Sequence, residues 1–297
     1  MANPPHTVRR LLRPVLFFWH VHKKFVHDEG LVLAGNIAFS TLLAFFPFLI
    51  FLTALAGYVG NEDLARTAID YLLSVAPHEV VAPVRDDIHS LLTAQNGGIL
   101  TVSILMTVFV ASSGVESLRI GFNRAYGFGV KERRAWWLRR LQNLVFVFGG
   151  AAVLLVLAVF IVFAPIWWGV LAQHFTIMSR FTHWFYLLRL PFGLSVMFVA
   201  LLFGHLFLPR RRLPVRQVLP GIFLTMTVWL IAARAYAVYT VRFSKAQIMY
   251  AGLGSVVIAL IFVYISAALI IWGAAFNEAL IHKRTLKSTR ETQGGEA

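Results

Sequence analysis

The sequence predicts an all-α integral membrane protein built as a six-helix transmembrane bundle. Apolar residues make up 59% of the chain, which is more than the roughly half found in soluble domains. A helix needs about 20 apolar residues to cross a bilayer, and a backbone in lipid must satisfy its own hydrogen bonds, which favours helices. Six runs of 17 residues or more contain no Asp, Glu, Lys or Arg: 30–61, 88–115, 141–179, 190–209, 217–233 and 246–277.

The distribution of basic residues predicts the orientation of these spans. The chain has 27 Lys and Arg residues and a net charge of +14. Alternate connecting segments, beginning with the N-terminal arm, hold 20 of the basic residues, whereas the segments between them hold six. This asymmetry is typical of cytoplasmic loops. It predicts a multi-pass membrane protein with six helices and both termini cytoplasmic. The positive charge therefore indicates contact with membrane lipids rather than with nucleic acid.

The N-terminal arm, residues 1–30, is predicted to lie on the inner leaflet as an interfacial helix. Val15, Phe18, Trp19, Phe25 and Val26 fall on one helical face, as expected for a helix lying in the plane of the membrane surface. No small-residue cleavage site follows the short apolar run, so we do not expect a cleavable signal peptide.

The transmembrane domain is predicted to extend over residues 31–282. Pro47 lies in the middle of the first span and removes one helical hydrogen bond. A glycine-containing turn at Gly252 and Gly254 precedes the last span. These three residues are candidate hinges, or else a fixed kink and a tight entry into the last helix. The predicted spans are 31–60, 99–118, 141–168, 186–208, 218–241 and 252–278.

Two further segments complete the predicted organisation. Residues 61–97 contain two helical apolar patterns joined near Pro77 and carry a net charge of −4, which predicts an outer amphipathic cap. This cap would cover an opening in the bundle, rest on the outer leaflet, or be solvated without a ligand. Residues 283–297 are polar and end in Gly-Gly-Glu-Ala, which predicts a disordered cytoplasmic tail.

Three stretches together resemble the YihY/BrkB family of six-helix bacterial inner-membrane proteins. They are the run from Ala34 to Pro47, the run from Ala111 to Arg134, and the run from Leu208 to Asn277, which includes Leu219-Pro-Gly221 and Gly273-Ala-Ala-Phe-Asn277. Compared with that pattern, this chain has Phe276 where an acid usually precedes the asparagine, and Glu278 follows instead. The family has been labelled both a serum-resistance virulence factor and ribonuclease BN.

The sequence argues against the ribonuclease label. A zinc-dependent hydrolase needs clustered His and Asp ligands beside an activated water, whereas the ten histidines here are scattered and the chain has no cysteine. We therefore expect no enzyme activity, no catalytic or metal-binding residues and no cofactor.

Ionisable groups at membrane depth are costly and require a partner or a purpose. Several polar residues are predicted to share one layer near the inner leaflet. This layer is a network that holds helices together, an inner gate or polar site for a substrate or coupling proton, or a site that binds lipid headgroups. Arg234, in the outer half of the fifth span, would reach the outer headgroups, bind an anionic group, or pair with the acidic outer cap. The predicted inner layer consists of Asn36, Glu116, Arg119, Asn123, Arg124, His205 and Glu278.

Three functions are considered. The first is export or flipping of a small or lipid-like solute, for which the resemblance implies a role in envelope or serum resistance. The second is an envelope scaffold that binds lipids or partners without transport. The third, RNA cleavage, depends only on the label. The substrate, the coupling ion and the oligomeric state do not follow from the sequence.

Overall fold

A computed structural model describes the backbone of residues 6–59, 97–129, 135–158, 176–249 and 253–294, together with a few single positions between 159 and 175. This part of the chain is helical and contains no strand, which confirms the all-α prediction. Its helices are α1 (His6–His27), α2 (Gly30–Val59), α3 (Gly97–Ala125), α4 (Trp136–Ala158), α5 (Thr176–Phe207), α6 (Val215–Met249) and α7 (Leu253–Gly294).

Four helices of the described part are long and apolar enough to cross a membrane. They contain the segments Thr101–Ala125, Phe181–Phe207, Val215–Tyr239 and Val256–Thr285. A fifth crossing results if α1 and the first half of α2, which are bent at a short break, form one span. The predicted count of six is therefore not confirmed within the described residues.

Several helices are longer than the sequence predicted. The second span was expected to end at residue 118, but α3 continues to Ala125. The fourth was expected to begin at residue 186, but α5 begins at Thr176. Helix α6 passes through Arg242 and Lys245, where a loop was expected, and ends at Met249. Charged side chains do not stop a helix by themselves; proline and glycine do so more effectively.

The disordered tail predicted for residues 283–297 differs from the structure, in which α7 continues to Gly294. The stretch between Ala279 and Gln293 contains neither Gly nor Pro, and its Lys, Arg, Glu and Leu residues have good helix propensity. Helix propagation through this polar segment therefore costs little.

Two helix ends show how the local sequence determines the backbone. Helix α3 ends in a Schellman motif, in which the N–H of Phe128 bonds to the C=O of Asn123 at 2.8 Å, and the N–H of Gly127 bonds to the C=O of Arg124 at 2.9 Å. Gly127 has φ +71°, a conformation that glycine adopts without a steric penalty. After α1, the left-handed position is held by Glu29, with φ +59°.

The chain forms two compact units. The first comprises Met1–Asp28, Phe122–Met226 and Trp272–Ala297. The second comprises Glu29–Gly121 and Thr227–Ile271. Helices α3, α6 and α7 therefore each contribute a segment to both units.

In the first unit, α1 packs against the C-terminal half of α7. The Phe17 and Phe276 rings meet edge to face at 5.5 Å, and Phe18 stacks on Trp272 at 6.1 Å. Within the face predicted for α1, Phe25 is buried, whereas Trp19 is 56% exposed. The helix thus has one side packed on protein and another that is apolar and open. The interfacial position itself stays a prediction.

In the second unit, small residues allow α2 to approach its neighbours. Ala34, Ala38 and Ser40 are nearly fully buried, and the four-residue spacing of Ala34 and Ala38 is typical of a close helix contact. A Cβ atom at Gly114 would lie 3.4 Å from the Cβ of Ser40. Side chains at these positions therefore leave little free space between α2 and α3.

Some predicted features lie outside the described residues. The outer cap, 61–97, falls there apart from Gly97, and so does Gly252. Gly254 lies in the first turn of α7, and Pro47 lies within α2. The hinge roles of these residues stay predictions.

Candidate functional site

The first unit contains a buried hydrogen-bonded group that we name the Asn277 cluster: Asn277, Tyr126, Val218 and Gly221. The Oδ1 atom of Asn277 accepts a bond from the N–H of Gly221 at 2.6 Å. Its Nδ2 donates to the C=O of Val218 at 2.9 Å and to the Tyr126 hydroxyl at 3.2 Å. One side chain thus joins α7 to the start of α6 and to the end of α3.

The position of this cluster follows from a proline and two glycines. Pro220 lies inside α6 and has no N–H to donate. The two backbone groups that bond to Asn277, on Val218 and Gly221, flank this proline. A Cβ atom at Gly221 would lie 2.2 Å from the C=O oxygen of Gly273, so only glycine permits this contact between α6 and α7.

His205 lies beside the Asn277 cluster and is fully buried. Its ring is 4.5 Å from the Phe122 ring and 6.2 Å from the Tyr126 ring, measured between centroids. Within the described part of the chain, neither ring nitrogen has a hydrogen-bond partner. Such a group is rare in folded proteins and calls for an explanation.

The end of α3 is tied to two other elements of the first unit. Asn123 accepts a bond from the backbone N–H of Arg210 at 2.7 Å through Oδ1. Lys24 forms an ion pair with Asp28 at 2.6 Å and also donates to the C=O of Arg124 at 3.4 Å. These contacts position the loop after α5 and the end of α1 around α3.

The second unit contains a polar group on α3 that we name the Glu116 strip: Ser113, Glu116, Ser117 and Arg119. Arg119 is 3% exposed and forms a two-point ion pair with Glu116, whose side chain is 30% exposed; the Nε to Oε2 distance is 3.0 Å. Ser117 accepts a bond from Asn36 of α2 at 2.8 Å and donates to the C=O of Ser113 at 3.0 Å.

The strip lies within the candidate membrane span of α3. Glu116 is the sixteenth residue of the segment Thr101–Ala125, and it directly follows the uncharged run 88–115. The helix continues for nine residues beyond Glu116, whereas the sequence predicted a span that ends at residue 118.

The structure divides the predicted inner layer between the two units. Asn36, Glu116 and Arg119 lie together in the second unit. The remaining members belong to the first unit: Asn123, Arg124, His205 and Glu278. In that unit the hydrogen-bonded cluster centres on Asn277 rather than on Glu278.

Arg234, the charge predicted in the outer half of the fifth span, is exposed on α6. Its role in reaching the headgroups stays a prediction.

Sequence reasoning missed Asn277, Tyr126 and Gly221 as cluster members. A signal was present, because Gly273 and Asn277 are four residues apart on one helical face and Gly221 directly follows a proline. Burial raises the pKa of the Tyr126 phenol, and the hydrogen bond from Asn277 opposes this rise. The phenol therefore stays protonated over the physiological range. No group of three or more metal-ligating side chains occurs among the described residues.

The fold and these clusters define a polytopic α-helical membrane protein with polar groups inside apolar helices. The family model named Virulence factor BrkB matches residues 21–296, so the chain belongs to this family. Curated relatives support the same grouping. The chain is 28% identical to a putative ribonuclease-like protein, YfkH, of Bacillus subtilis, over 90% of this chain and 96% of the relative.

Two further relatives are described as UPF0761 membrane proteins. The one from Alteromonas mediterranea is 21% identical over 87% of this chain and 85% of its own length. The one from Vibrio parahaemolyticus is 24% identical over 90% of this chain and 82% of its own length. No solved structure matches the chain.

Proposed function

We propose that this protein moves a small or lipid-like solute across the bacterial inner membrane. The observation that carries the proposal is the Glu116 strip, a partly exposed ion pair within the candidate membrane span Thr101–Ala125. Ionisable groups in such positions are expensive and usually serve a substrate or ion pathway. Arg119 is 3% exposed and holds the carboxylate of Glu116, whose side chain is 30% exposed.

The surroundings of the strip favour an amphiphilic solute. Ser113 is exposed one turn before Ser117. The same helix exposes Leu105 at 63% and Phe109 at 62%. A polar strip that continues into an open apolar surface offers contacts to both the headgroup and the tail of a lipid-like molecule.

The topology that we propose has six crossings with both termini cytoplasmic, and α1 lies along the inner leaflet. The apolar runs support this arrangement, and so does the clustering of basic residues in alternate segments. The apolar surface that α1 leaves open, including Trp19, supports the interfacial position.

The proposal is tested with purified protein in vesicles of phosphatidylethanolamine and phosphatidylglycerol that contain a fluorescent phosphatidylglycerol. Dithionite quenches only the outer leaflet, so translocation raises the quenched fraction above the half observed in protein-free vesicles. We expect this rise with the wild-type protein. Fluorescence loss equal to that of protein-free vesicles would contradict movement of a lipid-like solute.

The second candidate is a scaffold that binds lipids or partners through the segment 61–97. It is favoured by the −4 charge and the amphipathic pattern of that segment. Deletion of the segment would then abolish the envelope phenotype, although the wild-type protein would move no probe in vesicles. The name of the Bacillus subtilis relative suggests a third function, RNA cleavage. We propose a non-enzymatic role instead. Metal-dependent RNA cleavage by the purified protein, lost on substitution of one histidine, would overturn this proposal.

A further inference from the structure

The first unit presents arginines from a rigidly held loop between α5 and α6. Leu208 and Pro209 are fully buried at the start of this loop. The backbone N–H of Arg210 is fixed by Asn123. Arg211 and Arg212, which follow directly, are exposed. The loop is thus anchored on one side and presents two guanidinium groups on the other.

An aromatic ring supports the first of these arginines. The guanidinium carbon of Arg211 lies 5.8 Å from the centre of the Phe128 ring, a cation–π distance. Phe128 in turn stacks on Tyr126 at 5.9 Å. Because Gly127 and the Schellman motif fix the backbone at Phe128, the position of Arg211 is restricted before any ligand binds, which lowers the entropic cost of binding.

The beginning of α4 lies at the same end of the first unit. Gln142 donates to the C=O of Phe207 at 2.6 Å, which places α4 against the last turn of α5. Trp136 and Trp137, less than two turns earlier, are 69% and 56% exposed. Exposed tryptophans are typical of the level of the lipid headgroups.

We propose that this surface, formed by Trp136, Trp137, Arg211, Arg212 and Arg216, binds the headgroup of an anionic glycerophospholipid of the bilayer. Arg216, in the first turn of α6, is also exposed. Guanidinium groups bind phosphate oxygens in a two-point geometry that a diffuse positive surface does not provide. The tryptophans place the site at headgroup depth, so a lipid fits it better than a soluble phosphate does. This inference depends on the membrane location and not on the proposed translocation.

The test compares binding of phosphatidylglycerol and phosphatidylcholine to the detergent-purified full-length protein by native mass spectrometry. We expect the wild-type protein to prefer phosphatidylglycerol. The double variant Arg211→Gln/Arg212→Gln should lose about thirtyfold in this preference, the scale expected for two arginines at an anionic surface. The control, Lys283→Gln/Arg284→Gln, removes the same charge from exposed positions on α7 and should retain the preference.

Equal losses in both double variants would overturn the site, since they would indicate diffuse charge attraction. Displacement of the lipid by inorganic phosphate at comparable concentration would overturn the assignment to a lipid. If the double variant does not reach the membrane, the single variants Arg211→Gln and Arg212→Gln replace it. This assay measures binding without movement across a membrane, so a failure of lipid movement in vesicles would leave its result unchanged.

Discussion

The side chain of Asn277 on α7 holds the backbone of α6 at Gly221, accepting the N–H of that glycine at 2.6 Å. The same side chain donates to Val218 and Tyr126. The amide of Asn277 thus accepts one hydrogen bond and donates two. It joins α7 to α6 and to Tyr126, the residue that follows α3. This arrangement explains why an asparagine can be fully buried in an apolar region.

Replacement of Asn277 by Ala should destabilise the protein by roughly 2 kcal/mol. Three hydrogen bonds are lost, and in membrane proteins each contributes less than in an apolar solvent. The measurement is the free energy of unfolding in detergent. The control is His282→Ala, at an exposed position on the same helix, for which we expect a change within about 0.5 kcal/mol. Equal effects of the two substitutions would show that the cluster does not stabilise the fold.

Gly221→Ala should be more damaging than its size suggests. The added Cβ atom would lie 2.2 Å from the Gly273 oxygen and 2.5 Å from the Asn277 amide nitrogen. Helices α6 and α7 would have to separate at this point, with an expected cost of about 3 kcal/mol. Unfolding in detergent measures this cost.

Gly149→Ala is the matched control for that substitution. No described atom lies within 4 Å of a Cβ atom built at Gly149, and this residue lies inside α4. Alanine should therefore stabilise the helix by roughly 0.5–1 kcal/mol. If both glycine variants behaved alike, the close contact between α6 and α7 would be wrong.

The backbone at Glu29 leads to a third prediction. Its φ of +59° is tolerated by Asn but opposed by β-branched side chains. Glu29→Asn and Glu29→Val both remove the carboxylate, so they differ mainly in backbone preference. We expect the Asn variant to be more stable than the Val variant by roughly 1 kcal/mol, measured as the difference in free energy of unfolding. The reverse order would contradict the left-handed turn between α1 and α2.

Tyr126 predicts a specific loss of stability in alkali. Burial raises the pKa of its phenol above the ordinary value of 10, so the folded protein keeps a proton that the unfolded chain releases. The free energy of unfolding is therefore unaffected by this group below about pH 10. It falls as the pH rises above 10, by up to about 1.4 kcal/mol per pH unit for one group.

The measurement compares unfolding of the wild-type protein and Tyr126→Phe as a function of pH. The variant loses the hydrogen bond from Asn277 at every pH, but its stability should decline less steeply above pH 10. Parallel curves for the two proteins would show that Tyr126 is not buried in the folded state.

The sequence was informative about helices because each uncharged run is long enough to predict one by itself. Helix ends were predicted less well. The expected loop at Arg242 and Lys245 is helical, because nothing there breaks a helix. By contrast, the turn at Gly127 follows directly from a glycine in the left-handed conformation.

The polar sites were predicted only in part, for a physical reason. Charge and depth selected Glu116 and Arg119, which form an ion pair on one helix at a spacing that the sequence shows. The importance of Asn277 depends on how closely α6 approaches α7, and that distance is set by Gly221 and Gly273 together. The local sequence marks these residues as able to approach another helix, but it does not show which one, because Gly221 and Asn277 are 56 positions apart.

The most direct test of the proposed translocation is the vesicle assay with Glu116→Gln. This change removes the charge of the partly exposed carboxylate within the candidate membrane span of α3 and keeps its size. Glu278→Gln is the matched control, because it makes the same change in the other unit. The account predicts that Glu116→Gln abolishes lipid movement while the protein stays folded in the membrane, and that Glu278→Gln moves lipid at the wild-type rate. Wild-type movement in Glu116→Gln, or equal losses in both variants, would contradict a pathway along the Glu116 strip.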